Sequence, residues 1–459
     1  MRWRDEIAAR LEAGERFAAG WVGADGCSWR VALVAPDGTP SVLSCEADGG
    51  VVPTLVDLAP AAGWDEREAH DLHGLGFAGH EPLRALVAHP DDPAAWMTPV
   101  GGDGVHDVAV GPIHAGVIES GHFRFHVVGE RILALDPRLF YKHRGLEQAA
   151  RGEDVARGAA LAGRACAACA VSTSVAYAAA VEDALGLEPD RDLRIARTVL
   201  AELERLYNHL HDIGAICAGV GFAPGTMAFA TLKDRAQAIN EHVCGHRFLF
   251  GTVGPEGGRF ALDASAAGAA RAALRELRAD AAAAWRELEF TGSLLARLGG
   301  VGVVEPDDAI ALGANGPAAR ACGLRVDARA ERSPLWYPAF APAAPREATG
   351  DVAARLEVRA AELETTHEIL DELLAAPVGR GATTSAGAAS EIGLGRVESP
   401  RGATVVAVEL SGGRIARLRI RTGSYANWPV LARAARGNLL PDFPLINKSF
   451  ELCYACVDR

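Results

Sequence analysis

Two Cys-x-x-Cys pairs make the strongest demand on any fold this sequence can adopt. One is Cys166/Cys169, in the first half; the other is Cys453/Cys456, at the far end. The spacing places two thiolates close together, and thiolates suit soft or borderline metals such as zinc, iron and nickel. A structural zinc site usually keeps its two pairs within ~15–20 residues of each other. Here they lie far apart, so one four-sulfur site would require a large fold that brings distant segments together. Spacing alone leaves three readings open: a shared metal site, separate redox dithiols, and coincidence. The other five cysteines, Cys27, Cys45, Cys217, Cys244 and Cys322, are scattered and read as small buried or half-buried thiols.

Nine cysteines in a chain of 459 residues, an odd number, argue against a disulfide scaffold. That length allows two or three domains with sizeable cores. A net charge of −13 argues against a nucleic-acid-binding surface, and no RNA- or DNA-binding module is recognisable. The start, Met1–Arg10, is charged and lacks the apolar core of a secretory leader. No stretch reaches the roughly 20 apolar residues of a membrane span. The apolar run around Gly158–Ala180 is broken by Arg164 and small polar residues, and reads as a buried helix region. Any membrane link is therefore expected to run through partners.

The pattern along the chain predicts an α+β fold: a small α/β N-terminal domain, then a mainly helical domain with flanking β-strands. Trp21–Val34 and Ser41–Cys45 carry strand-like apolar runs, and Asp65–Leu75 a short charged helix. Pro and Gly cluster in Asp92–Gly104. The divisions expected are a first domain at 1–98, a linker at 99–107 and a second domain at 108–459. Val117–Val128 and Arg131–Leu135 predict a hairpin turning at Gly129-Glu130. Asp192–Cys217, Ala264–Leu295 and Glu357–Leu374 predict helices by their apolar periodicity, and Val405–Ile420 returns to strand-like alternation.

Several further motifs surround the cysteines. Arg164 precedes the first pair, and Ser172-Thr173-Ser174 follow it. Upstream stand Gly111-Pro112-Ile113-His114-Ala115-Gly116, Glu119-Ser120-Gly121-His122-Phe123-Arg124-Phe125 and His143-Arg144-Gly145-Leu146-Glu147. Downstream come Glu204-Arg205-Leu206-Tyr207-Asn208-His209-Leu210-His211-Asp212, then Glu398-Ser399-Pro400-Arg401-Gly402. The last is Lys448–Arg459, which holds the second pair. In this order they resemble nickel–iron hydrogenase large subunits, in the subclass shared by formate hydrogenlyase and the complex I 49-kDa subunit. Asp65-Glu66-Arg67-Glu68-Ala69-His70-Asp71-Leu72-His73-Gly74, with Gly79-His80, resembles the signature of the complex I 30-kDa subunit. A fusion of the two is the arrangement of formate hydrogenlyase and hydrogenase-4 large subunits. Taken alone, the charged 65–74 segment reads as a solvated helix face.

The resemblance implies roles. Cys166 and Cys453 would be terminal nickel ligands, and Cys169 and Cys456 would bridge nickel to an iron carrying cyanide and carbon monoxide. Glu119 matches a glutamate that passes protons to and from a nickel-bound cysteine, a task for a carboxyl whose pKa burial can raise. Arg401 matches an arginine held over the metal centre, where a fixed cation stabilises hydride-like charge. Hydrogen would be split heterolytically between the metal and a sulfur or guanidinium base. Pro400 and Ser424 would line the pocket around the iron's ligands. Glu147 matches a glutamate near a magnesium or structural metal site. Without the resemblance, Glu119 reads as a surface charge, Arg401 as a surface arginine in a turn, and Glu147 as an ion-pair partner of Arg144. His209 and His211, two apart on a helix, face different ways and read as packing or interface residues.

The reaction implied is the reversible reduction of protons to dihydrogen. Too few cysteines remain for iron–sulfur clusters, so an iron–sulfur small subunit is the expected electron partner. Antiporter-like membrane subunits, with formate dehydrogenase or ferredoxin as electron source, would complete a complex on the cytoplasmic face of the membrane. The sequence departs from the family at Ala167, where glycine is usual, and at Glu451, where many members have aspartate. The C-terminal histidine of the classical enzymes is missing, as in the complex-I-like subclass, whose mature subunits end at an arginine after processing. One alternative is a nickel-free NADH:quinone oxidoreductase subunit that binds quinone, although that class has generally lost the cysteines. Another is a non-catalytic scaffold with structural zinc.

Overall fold

Residues 3–114, 119–255 and 257–459 are described by the computed structural model. The chain opens with α1 (Trp3–Glu12) and an antiparallel meander of β1 (Arg16–Val22), β2 (Ser28–Val34) and β3 (Pro40–Glu46). Asp25 shapes the first turn by accepting from the backbone N–H of Cys27 and Ser28. A short parallel pair, β4 (Val51–Pro53) and β5 (Gly76–Ala78), is joined through α2 (Gly63–His73). Helix α2 stops at Gly74, whose φ of 70° forms a left-handed cap that returns its N–H to His70. One face of the meander buries Trp29, Val31 and Leu33 with Ile7, Ala69 and Phe77. The other face, Ala19, Trp21, Ala32 and Val34, packs on Val405 and Ala407 from near the end of the chain. The N-terminal sheet thus shares a core with the rest of the molecule.

A second antiparallel sheet follows: β6 (Val105–Val110), β7 (His122–Val128) and β8 (Arg131–Arg138). Its β7–β8 turn falls at Gly129-Glu130, as the alternation predicts. The expected strand start at Val117 and the Ala115-Gly116 end of an upstream motif lie outside the described residues. Then come α3 (Leu146–Ala149), α4 (Val155–Ala162), α5 (Ala170–Leu185), β9 (Leu187–Pro189), α6 (Arg191–Gly219) and α7 (Ala223–Cys244). The predicted buried helix region around Gly158–Ala180 is two helices, α4 and α5, meeting at 117°. The bend between them carries the first cysteine pair.

The predicted helix Ala264–Leu295 is also divided, into α8 (Ala264–Glu289) and α9 (Gly292–Leu298). The break lies at Phe290-Thr291: the Thr291 hydroxyl turns back onto the Glu287 carbonyl, and glycine, a poor helix former, follows. After α10 (Pro306–Ala311) and α11 (Gly316–Ala321), α12 (Val352–Leu373) begins five residues before the predicted Glu357. Asp351 caps it by accepting from Ala354 N–H.

Beyond β10 (Thr383–Ser385), a three-stranded antiparallel sheet runs β11 (Ile392–Ser399), β12 (Gly402–Ser411) and β13 (Arg414–Arg421). The single run Val405–Ile420 is a hairpin, because Gly412 and Gly413 both take positive φ, 56° and 76°. Strand β11 lies directly on α5. A Cβ on Gly395 would stand 1.9 Å from the Ala176 carbonyl oxygen, so only glycine permits this approach. Helices α13 (Gly423–Ala435), α14 (Phe443–Phe450) and α15 (Ala455–Asp458) complete the α+β fold.

Candidate metal centre

Cys166 is extended backbone in the α4–α5 bend, and Cys169 adjoins the first turn of α5. A thiolate there meets the positive end of a 16-residue helix. The second pair follows α14, where Glu451 turns the chain with φ 49°, so that Cys453 and Cys456 face the first pair.

The distant pairs converge. The Sγ atoms of Cys166 and Cys453 are 2.9 Å apart, and those of Cys169 and Cys456 are 3.9 Å apart. The sulfurs of Cys166, Cys169 and Cys456 all lie within 4.8 Å of one another. These separations exceed the ~2.05 Å of a disulfide. Cys166, Cys169 and Cys456 are buried, and Cys453 is half-buried at the rim.

Cys169, Cys453 and Cys456 differ in how readily they give up a proton. Hydrogen bonds from Cys166 and Cys456 bring Cys169 down to about 6, helped by the nearby charge of Arg401. The hydrogen bond with Cys166 pushes Cys453 up to about 12, and contacts with its three neighbours hold Cys456 well above the usual thiol range. Without a cation, Cys453 and Cys456 hold their protons more tightly than free thiols do. A cation among them lifts that restriction, because a coordinating thiol is deprotonated outright. The donor set therefore fits a soft or borderline metal.

Helix α6 grips the first pair from behind. Tyr207 Oη donates to the Ala167 carbonyl at 3.2 Å, and Asn208 Nδ2 to the Ala168 carbonyl at 2.8 Å. Glu204 accepts from Val171 N at 2.6 Å and Ser172 N at 3.0 Å, fixing the start of α5. Burial pushes the Glu204 carboxyl up to about 7 despite those donors. None of Glu204, Asn208 and Asp212 is singled out by the sequence reading. The signal they share is their i, i+4, i+8 spacing, which puts all three on one face of α6, a helix that also buries Arg197, Glu202, Arg205 and His209.

Arg401 follows Pro400 in the tight β11–β12 turn and is buried. Its guanidinium donates to Asn208 Oδ1, to Asp212 Oδ1 at 2.9 Å, and to the Glu451 carbonyl. One side chain thus ties α6 to the loop bearing Cys453. Its charge is felt at both Cys169 and Cys453. Pro400 is buried beside it. Ser424 Oγ accepts from Cys453 N at 3.1 Å, so this serine touches the second pair's backbone.

Glu119 stands at the solvent edge of the cluster, one oxygen accepting from Ala455 N at 2.8 Å. Loss of water around it, then the charge on Cys453, raises its pKa. His209 turns into the interior, onto Glu362 at 2.8 Å, and His211 outward, onto Glu451 at 3.1 Å. Neither joins the sulfurs.

Glu147 departs from expectation. Its partner is Arg459, with Nε 2.6 Å away, and Arg419 stands 3.8 Å off. Arg144 instead donates to the carbonyls of Arg164, Ala165 and Ala455, stitching the two cysteine segments together. A magnesium ion at Glu147 would face two guanidinium groups of like charge.

Among known proteins, the family model described as respiratory-chain NADH dehydrogenase, 49-kDa subunit, matches residues 220–386 and 381–459. The corresponding 30-kDa subunit model matches residues 40–100. Formate hydrogenlyase subunit 5 of Escherichia coli is 31% identical, over 89% of this chain and 77% of that protein. An NADH-quinone oxidoreductase subunit of Salinispora arenicola is also 31% identical, over 76% of this chain and 93% of that one. A chain from the solved structure of membrane-bound sulfane sulfur reductase, an archaeal respiratory membrane complex, superposes with a TM-score of 0.71 at 25% identity. The match covers 79% of this chain and 100% of that one.

Proposed function

The chain belongs to the family that unites 49-kDa subunits of respiratory-chain NADH dehydrogenase with large subunits of membrane-associated hydrogenases, fused to a 30-kDa-like part, and within it we propose that this oxidoreductase subunit is a nickel–iron hydrogenase. The observation that carries the reading is the meeting of four thiols from distant parts of the chain. Cys166 and Cys453 would hold nickel, and Cys169 and Cys456 would be shared with an iron bearing cyanide and carbon monoxide. When bound, such a centre supplies the redox chemistry that interconverts dihydrogen with two protons and two electrons.

The remaining work falls to this chain's own side chains. Arg401, locked by Asn208, Asp212 and the Glu451 carbonyl, holds a fixed positive charge beside the sulfurs. Because it is already oriented, it needs no rearrangement when negative charge develops there. Glu119, at the solvent edge, holds a proton on its carboxyl more readily than an exposed glutamate does. It suits proton exchange between the rim cysteine Cys453 and water. Pro400, buried beside Arg401, and Ser424, bonded to Cys453 N–H, would line the pocket around the iron's ligands.

Electrons would leave through an iron–sulfur small subunit. No single helix among the described residues is long and apolar enough to cross a membrane. Attachment to the cytoplasmic face would therefore run through antiporter-like membrane subunits, with formate dehydrogenase or ferredoxin supplying electrons.

The Salinispora arenicola relative favours a second reading, a nickel-free subunit that binds quinone. The four cysteines then have no task. Replacement separates the two. Cys166→Ala or Cys453→Ala is expected to abolish nickel retention and hydrogen turnover together, and full hydrogen activity in either variant would sink the proposal.

A further inference from the structure

The acidic 65–74 motif belongs to the part that matches the 30-kDa subunit, and the proposed reaction gives it no task. Its contacts point elsewhere. Asp65 and Glu68 lie on one face of α2, and both are buried. Asp65 receives Arg419 and Arg421 from β13 at 2.8 and 2.9 Å. Glu68 Oε1 receives Arg419 at 2.7 Å and Arg459 at 2.6 Å. Arg459 is 1% exposed, its Nε also bonded to Glu147 at 2.6 Å and its guanidinium over the Tyr425 ring. Three residues before it stands Cys456, on α15, a helix of four residues. So short a helix has almost no stability of its own. Its position depends on what pins its two sides. Glu119 and Arg144 bond Ala455 at the start, and at the far side Arg144 N–H bonds the Asp458 carbonyl at 2.8 Å while Arg459 anchors the residue just beyond.

We propose that Glu68 is a positioning residue for the sulfur cluster: the 30-kDa-like part clamps Arg459 and thereby holds Cys456 against the other three thiols. The inference concerns where the sulfurs sit, so it stands or falls whichever metal they hold. The fused part is then a component of the centre and more than an attached module.

The test is alkylation of the full-length chain, reduced and stripped of metal, with iodoacetamide, read cysteine by cysteine by peptide mass spectrometry. Glu68→Gln keeps the shape and removes the charge. It is expected to raise the Cys456 rate by about ten- to hundredfold, the range for losing one charge-assisted hydrogen bond. Buried Cys217 and Cys322 should stay at their wild-type rates. Arg459→Gln, which leaves every N-terminal residue in place, should give at least as large an increase, since it also loses the Glu147 bond. The double variant should rise by less than the two single effects combined, because the Glu68–Arg459 contact is lost in both. An unchanged Cys456 rate in Glu68→Gln overturns the proposal. So does a parallel rise at Cys217 and Cys322, or an additive double variant.

Discussion

Glu119 and Glu204 are both carboxyls with raised pKa values, and their surroundings give them different tasks. Glu204 is fully enclosed and accepts from Val171 and Ser172, so its oxygens are committed to the start of α5. Glu119 is exposed to solvent on one side and, among the described residues, accepts from Ala455 N–H through one oxygen. A proton-carrying group needs that free side. Glu119→Gln should lower hydrogen turnover by about 10²–10⁴-fold, the usual contribution of a placed acid–base group, with metal content unchanged. Metal loss in that variant, or unchanged turnover, would give Glu119 another role. The cysteine pairs stand out by their spacing, but spacing leaves three readings open, and it is the fold that brings the four sulfurs together. Asn208 does not stand out, because an amide on a buried helix gives no local sign of whether it packs or holds an arginine. Glu147 misleads through proximity: Arg144 is near in sequence, but Arg459 is near in space.

Among the elements, long helices declare themselves and glycine-rich strands do not. Helix α6 shows its apolar period, and it starts one residue before the predicted Asp192 because Asp190 caps it by accepting from Leu193 N–H. Strand β11 escapes the pattern, because Gly393 and Gly395 resemble loop residues. In the structure they let its backbone lie on α5, the helix that adjoins Cys169. Gly395→Ala should therefore destabilise the protein by about 1–3 kcal/mol through overpacking, measured by denaturant unfolding. A neutral effect would mean that β11 can lift from α5 without cost. The α8–α9 break is hidden for a related reason: periodicity continues across Phe290-Thr291-Gly292, while the backbone does not.

At the scale of the whole molecule, two segments far apart in sequence meet at one site, and α6 and β11 set the distance between them. The α+β class and the order of its parts are readable from alternation and period. The joining of the N-terminal sheet to the rest is not. It depends on small residues, Ala18, Ala19 and Ala32, meeting Val405 and Ala407, and on acids of α2 meeting arginines of β13. Neither pattern marks its partner in the sequence. The central claim is that the four converging sulfurs hold nickel and iron. It is tested most directly by elemental analysis of the native complex, purified without oxygen. Nickel and iron at about one each in this subunit is the expected result. Zinc alone, or no metal in a fully matured complex, would contradict it.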